Sequence, residues 1–190
     1  MTGVDEPAKP TDRLFFAIFP GTELGARIAQ LAHYLRSEHG LKGKPLEARR
    51  LHITLYHLGD YAGLPQDIVA PATAAAASVA MPPFEVVLDR VLSFPIRVGN
   101  QPFVLAGHDG VDALTVFQRT LCAALDKAGI GGRVKPQYTP HVTLLYDNHL
   151  VVERPVGPVH WTVREFMLVH SVVGKAVYVP LARWPLALAR

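Results

Sequence analysis

Leu51-His52-Ile53-Thr54-Leu55 and Pro140-His141-Val142-Thr143-Leu144 repeat one pattern, histidine, β-branched aliphatic, threonine, leucine, in the two halves of a 190-residue chain. The run Leu51–Leu58 (LHITLYHL) alternates in polarity, and Tyr138–Tyr146 around the second copy is also strand-like, so each copy is predicted to lie in a strand. One such tetrapeptide arises by chance in roughly one chain in a hundred of this composition, and a second copy multiplies that rarity about a hundredfold. The repetition therefore needs a cause, and a chain built twice over supplies one.

Outward from the motifs, Arg13–Pro20 (RLFFAIFP) reads as a buried strand closed by Pro20 and Gly21. Thr22 then offers a cap for a helix whose Leu24, Ile28, Leu31 and Leu35 recur at helical spacing as far as Gly40. A basic, glycine- and proline-bearing connection leads into the first motif. After it, Gln66–Ala80 reads as a helix that Pro71 is expected to interrupt or to start late. Phe84–Leu92 and Pro102–Gly107 read as strands. Val111–Ala128 is a helix with Leu114, Phe117, Leu121 and Leu125 on one stripe and Gly129 just beyond. Thr162–Ser171 and Lys175–Ala182 read as two strands that Gly174 joins in a hairpin. The order of elements gives an α+β fold with largely antiparallel sheets, carried by a single domain over residues 13–190 behind a flexible N-terminal tail, residues 1–12.

The composition is that of an ordinary globular chain, 49% hydrophobic and 18% charged, which suffices for a sizeable core. No apolar run reaches the roughly 18 residues of a membrane span, so no membrane partner is expected and the cytoplasm is the simplest location. The single cysteine, Cys122, excludes an internal disulfide and a cysteine metal cluster, and its helical setting suits a small buried hydrophobe. A net charge of +3 fits an anionic substrate and falls short of a long nucleic-acid track.

Side chains alternate along a strand, so His52 and Thr54 point the same way about 6–7 Å apart, as do His141 and Thr143, while Ile53 and Leu55 point into the core. If the two strands converge, two imidazoles and two hydroxyls face one phosphate-sized cleft. Cleaving a phosphodiester takes one base for the attacking water and one acid for the departing oxygen, and histidine titrates nearest neutrality for both. The hydroxyls can donate to the non-bridging oxygens, with no metal and no cofactor required. Arg50 before the first motif and Arg133 and Lys135 before the second can attract the phosphate. Tyr56, two beyond Thr54, is expected on the same face, where it can stack a base or ribose. His57 is expected on the opposite face, and His33, His39, His108, His149, His160 and His170 share no repeated context.

These residues resemble the two-histidine phosphoesterases, and among them the RNA 2′,3′-cyclic phosphodiesterases also called 2′-5′ RNA ligases. RLFFAIFP is similar to the family's opening strand, LHITLYHLGD to its first motif, PHVTLLYD to its second, and LVHSVVGKAVYVPLARWPL to its closing hairpin. The resemblance implies a bilobal, pseudo-twofold fold with two sheets flanking a central groove and helices outside. It implies His52 and His141 as the catalytic pair and Thr54 and Thr143 as phosphate ligands, acting on RNA ends or small cyclic nucleotides; no obligate protein partner is expected. One departure concerns the residues after the second motif, where Leu145-Tyr146-Asp147 puts an acid in place of the family's usual cation. Within enzymes, a 2′-5′ RNA ligase or phosphodiesterase and a small cyclic-nucleotide phosphodiesterase use the same four residues. A non-catalytic RNA-binding module has no need of paired His-x-Thr motifs, and a histidine metal site is expected to bring carboxylates or cysteines at ligand spacing.

Overall fold

The computed structural model describes residues 9–96, 99–131 and 138–188. Among them, eight strands, β1 (Asp12–Ile18), β2 (Ile53–Tyr61), β3 (Phe84–Ser93), β4 (Gln101–Ala106), β5 (His141–Asp147), β6 (Arg154–Val163), β7 (Glu165–Val172) and β8 (Val177–Pro185), alternate with three helices, α1 (Gly21–Glu38), α2 (Gln66–Ala77) and α3 (Asp112–Lys127). The strands run in the order β6-β3-β4-β5-β2-β1-β7-β8 with every pairing antiparallel. The order falls into two four-stranded halves, each with one motif strand innermost. The halves meet at β2 and β5 through a single backbone pair, Ile53 with Val142. The bilobal α+β reading holds, with the two sheets joined at that seam.

Helical propensity and packing explain the three helices. Ile28, Ala32 and Leu35 of α1 are buried, as are Leu114, Phe117, Leu121 and Leu125 of α3, and both stripes pack with Ile53, Leu55, Val142 and Leu144 in the main core. Pro71 does not interrupt α2: at its sixth position it forfeits one bond, to the Asp67 carbonyl, while Ala72, Ala75 and Ala76 are buried. Helix α1 begins at Gly21 behind Pro20 without a side-chain cap, so Thr22 lies inside the helix. Cys122 is buried, as expected. No helix of the described residues is long and apolar enough to cross a membrane.

Two strand boundaries differ from the sequence reading. Strand β1 begins at Asp12, and Thr11 N donates to Tyr61 O at 2.8 Å, so the ordered structure starts inside the stretch assigned to the tail. Thr162 and Val163 end a separate strand, β6, which the reading missed because Pro155, Gly157 and Pro158 look like a turn. Strand β6 is the outer edge of its half, where a missing N–H costs no ladder bond. At the opposite edge β8 carries Pro180 and Pro185.

Each motif strand is also bulged at the same place. In the β1–β2 ladder Ala17 faces Thr54 and Phe16 faces Tyr56, leaving Leu55 as the extra residue. In the β4–β5 ladder Val104 faces Thr143 and Phe103 faces Leu145, leaving Leu144 as the extra residue. The carbonyls so displaced are taken up from outside the sheet. Leu55 O accepts from Gln118 Nε2 of α3 at 3.3 Å, and Leu144 O accepts from Leu46 N at 2.8 Å. Just before the first bulge, Tyr138 Oη donates to Thr54 O at 3.0 Å.

Gln118 is one of the few buried polar side chains, and its placement predicts a stability effect. Gln118→Leu is expected to strand the Leu55 carbonyl without a donor and to destabilise the fold by about 1–3 kcal/mol. In thermal unfolding that is a fall of several degrees at about 2–4 °C per kcal/mol for a chain of this size, and an unchanged midpoint contradicts the role given to this bond.

Candidate active site

Both motifs open onto one cavity of about 560 Å³, lined among others by His52, Thr54, His141 and Thr143. The seam explains the convergence. Ile53 and Val142 are directly paired and fully buried, so the residues on either side of each turn to the other face of the sheet. An antiparallel pair centred there relates His-x-Thr to His-x-Thr by a local twofold, with each histidine placed toward the other strand's threonine.

The two imidazoles are oriented alike. His52 Nδ1 donates to Arg50 O and His141 Nδ1 donates to Thr139 O, each at 2.7 Å, which leaves Nε2 of both rings as the nitrogen available for proton transfer. Their surroundings differ. Three rings enclose His52: Phe15 at 5.1 Å, Tyr178 at 5.4 Å and Phe19 at 5.5 Å between centroids. His141 meets Phe94 edge-on at 4.9 Å. Desolvation by this packing pushes His52 down to about 4, with the charges of His141 and Arg50 acting the same way and the Arg50 carbonyl opposing them. Desolvation also lowers His141. Both rings are thus neutral at neutral pH in the free protein.

Arg50 lines the cavity, with its guanidinium 5.5 Å from the Tyr178 ring centroid and its Nε buried and without a hydrogen-bond partner. The guanidinium shares the cavity with the motif threonines, where its charge suits an anionic oxygen. Arg133 and Lys135 lie outside the described residues.

The bulges overturn the expectation for Tyr56 and His57. With Leu55 inserted, the alternation flips after Thr54, so Tyr56 packs against the main core and His57 faces the cavity. The second motif does the same, putting Leu145 in the core and Tyr146, five residues after His141, in the cavity. The repeat therefore extends to a third pair, His57 and Tyr146, that a strict period of two hides. Sequence reasoning also missed Arg13 and Phe15 from β1 and Tyr178 from β8. Tyr178 belongs to the closing hairpin, whose turn, with Gly174 at φ 81° and Ala176 at φ 52°, forms part of the cavity wall. Arg13 Nε and Nη2 grip Asp60 at 2.7 and 2.8 Å, and Asp60 also bonds His57 Nε2 at 3.0 Å. Among the described residues no group of three or more histidine, cysteine or acidic side chains is placed to hold a metal.

The sequence profile of the 2′-5′ RNA ligase superfamily matches residues 20–174. No curated protein matches the chain in sequence. Among solved structures, one titled only as a phosphoesterase is 27% identical with a TM-score of 0.75, over 94% of this chain and 99% of the other. E. coli LigT complexed with 3′-AMP is 27% identical with a TM-score of 0.74 over the same shares. TT0787 of Thermus thermophilus, at 24% identity and a TM-score of 0.71 over 94% and 100%, shares the fold. With the profile running through both motifs and the fold matching LigT over nearly the whole length of each chain, this protein belongs to the 2′-5′ RNA ligase superfamily.

Proposed function

We propose that the protein is an RNA 2′,3′-cyclic phosphodiesterase that opens a terminal 2′,3′-cyclic phosphate to a 2′-phosphate. The observation that carries this reading is the facing pair of His-x-Thr motifs, each imidazole tethered through Nδ1 with Nε2 left for the substrate. A nucleotide with a phosphate on its ribose, 3′-AMP, occupies E. coli LigT, which supports a ligand of the same chemistry here.

In the proposed reaction, Nε2 of one histidine removes a proton from water as its oxygen attacks phosphorus. The bond from phosphorus to O3′ breaks, and the other histidine, as imidazolium, delivers its proton to O3′. The Thr54 and Thr143 hydroxyls and the Arg50 guanidinium take the charge that builds on the non-bridging oxygens. Because Nε2 is the reacting atom on both rings, the tethering carbonyls of Arg50 and Thr139 set the direction of proton transfer. Water and both protons are accounted for by the two rings, so no cofactor enters the scheme.

His52→Ala and His141→Ala are each expected to lower hydrolysis of 2′,3′-cyclic AMP by at least about 10²–10⁴-fold with the fold retained, since each removes half of the proton relay. Thr54→Val and Thr143→Val, which keep strand propensity, are expected to cost about 10²–10³ in turnover. Near-normal rates in either histidine variant reject the reading. A panel of 2′,3′-cyclic mononucleotides, RNA with a cyclic end and 2′-5′ linked oligonucleotides separates it from the ligase and small-nucleotide alternatives.

The pH profile carries a sign. One proton shared by the pair is the working form, and both imidazoles lie below the ordinary 6.5, so that form is already declining by pH 6.5 and is lost on the acid side as pH falls below about 4, when the second ring charges. The expected kcat/KM profile is therefore a bell with its optimum below pH 6.5. The kcat profile is displaced to higher pH, because a bound phosphate anion stabilises the imidazolium. Activity is expected to persist in excess chelator. An optimum for kcat/KM in the alkaline range, or chelator-sensitive activity restored by a divalent ion, contradicts the scheme.

A further inference from the structure

The two post-bulge residues, His57 and Tyr146, flank the reaction centre as symmetry equivalents, yet what lies beyond them is different. On the His57 side, Arg13 and His57 are both bonded to Asp60, so these polar groups already satisfy one another. On the other side Tyr146 is 43% exposed, and it lines both this cavity and a second one of about 570 Å³. That cavity also presents His39, Lys42, Asn148 and His149.

Asp147 stands in the same cavity, and its carboxylate is the feature that argues against an anionic occupant. Its oxygens are committed to the backbone, however: Oδ2 accepts from Lys42 N and Gly43 N, both at 2.6 Å, and Oδ1 accepts from His149 N at 2.9 Å. The two segments approach so closely that a Cβ on Gly43 would collide with the Tyr146 carbonyl oxygen. The acid thus serves as a clamp that draws the loop after α1 and the turn after β5 together around the cavity. The other polar residues lining the cavity bring an ammonium, two imidazoles, an amide and a phenol, with His39 also packing edge-on against Phe103 at 5.8 Å. Single-stranded nucleic acid is held by that combination, a cation for the backbone beside aromatic faces for the bases.

We propose that this second cavity is a subsite for the nucleotide that precedes the reacting one in single-stranded RNA, with Tyr146 as the stacking platform between the two and Lys42 as the partner of the intervening phosphate. The proposal rests on the reading of the first cavity given above, and it assigns the chain's direction: the RNA leaves the reaction centre past Tyr146, away from the mutually paired Arg13, Asp60 and His57.

A mononucleotide has no second unit to place there, so the test compares binding of 2′-AMP with that of a trinucleotide bearing a 2′-phosphate, by calorimetry, on the wild type and on Lys42→Ala/His149→Ala. Both substitutions keep the backbone N–H groups that hold Asp147. The wild type is expected to bind the trinucleotide at least about 10-fold more tightly, with an advantage that shrinks as salt rises, and the double variant is expected to lose most of it. Equal affinities in the wild type, or an undiminished advantage in a variant whose far-ultraviolet dichroism is unchanged, overturns the subsite. Should the double variant fail to fold, Lys42→Glu alone serves, with the same loss expected and an undiminished advantage again decisive. Turnover of 2′,3′-cyclic AMP by the wild type is measured in parallel. Its absence rejects the reaction proposed for the first cavity while the binding comparison still decides the second.

Discussion

The carbonyl groups of Leu55 and Leu144 are displaced from the sheet by the two bulges, and the arrangement of the candidate site depends on where they find donors. Without the bulges every second residue beyond the motifs would keep facing the same way. With them, the strands part after a single backbone pair and a cleft opens at the seam. The cost is a set of buried acceptors, met by the Gln118 amide, the Leu46 N–H and, for Thr54, the Tyr138 hydroxyl. Three residues outside the two motifs thereby hold the geometry of the candidate site.

Around His52 two opposing influences were built in together. The Arg50 carbonyl fixes the tautomer and favours the charged ring, whereas enclosure by Phe15, Phe19 and Tyr178 disfavours it, and the enclosure prevails. The outcome is a ring whose direction is set by the backbone and whose neutral form is favoured by burial. Arg50 serves both sides of this balance, since its carbonyl orients the ring while its guanidinium adds positive potential to the cavity.

Much of this was legible in the residues. The His-x-Thr repeat pointed to the seam, and the stripe through Leu114, Phe117, Leu121 and Leu125 identified α3. What escaped did so for definable reasons. Strand β6 was hidden because its prolines sit on a sheet edge that a local reading cannot recognise. Tyr56 and His57 exchanged faces because a bulge adds a residue without leaving a composition signal, although the two copies aligned on their histidines put His57 and Tyr146 in register. The aromatic enclosure of His52 comes from β1 and β8, far along the chain from the motif, and only the strand order brings them together.

The prolines of the two outer strands have a further effect on how molecules of this protein meet. A sheet open at both ends offers two rows of unpaired peptide groups, the usual template for strand-by-strand growth between molecules. Here Pro155 and Pro158 on one edge and Pro180 and Pro185 on the other remove donors from both rows. The same residues that obscured a strand in the sequence thus make both edges of the eight-stranded sheet poorer templates for such growth.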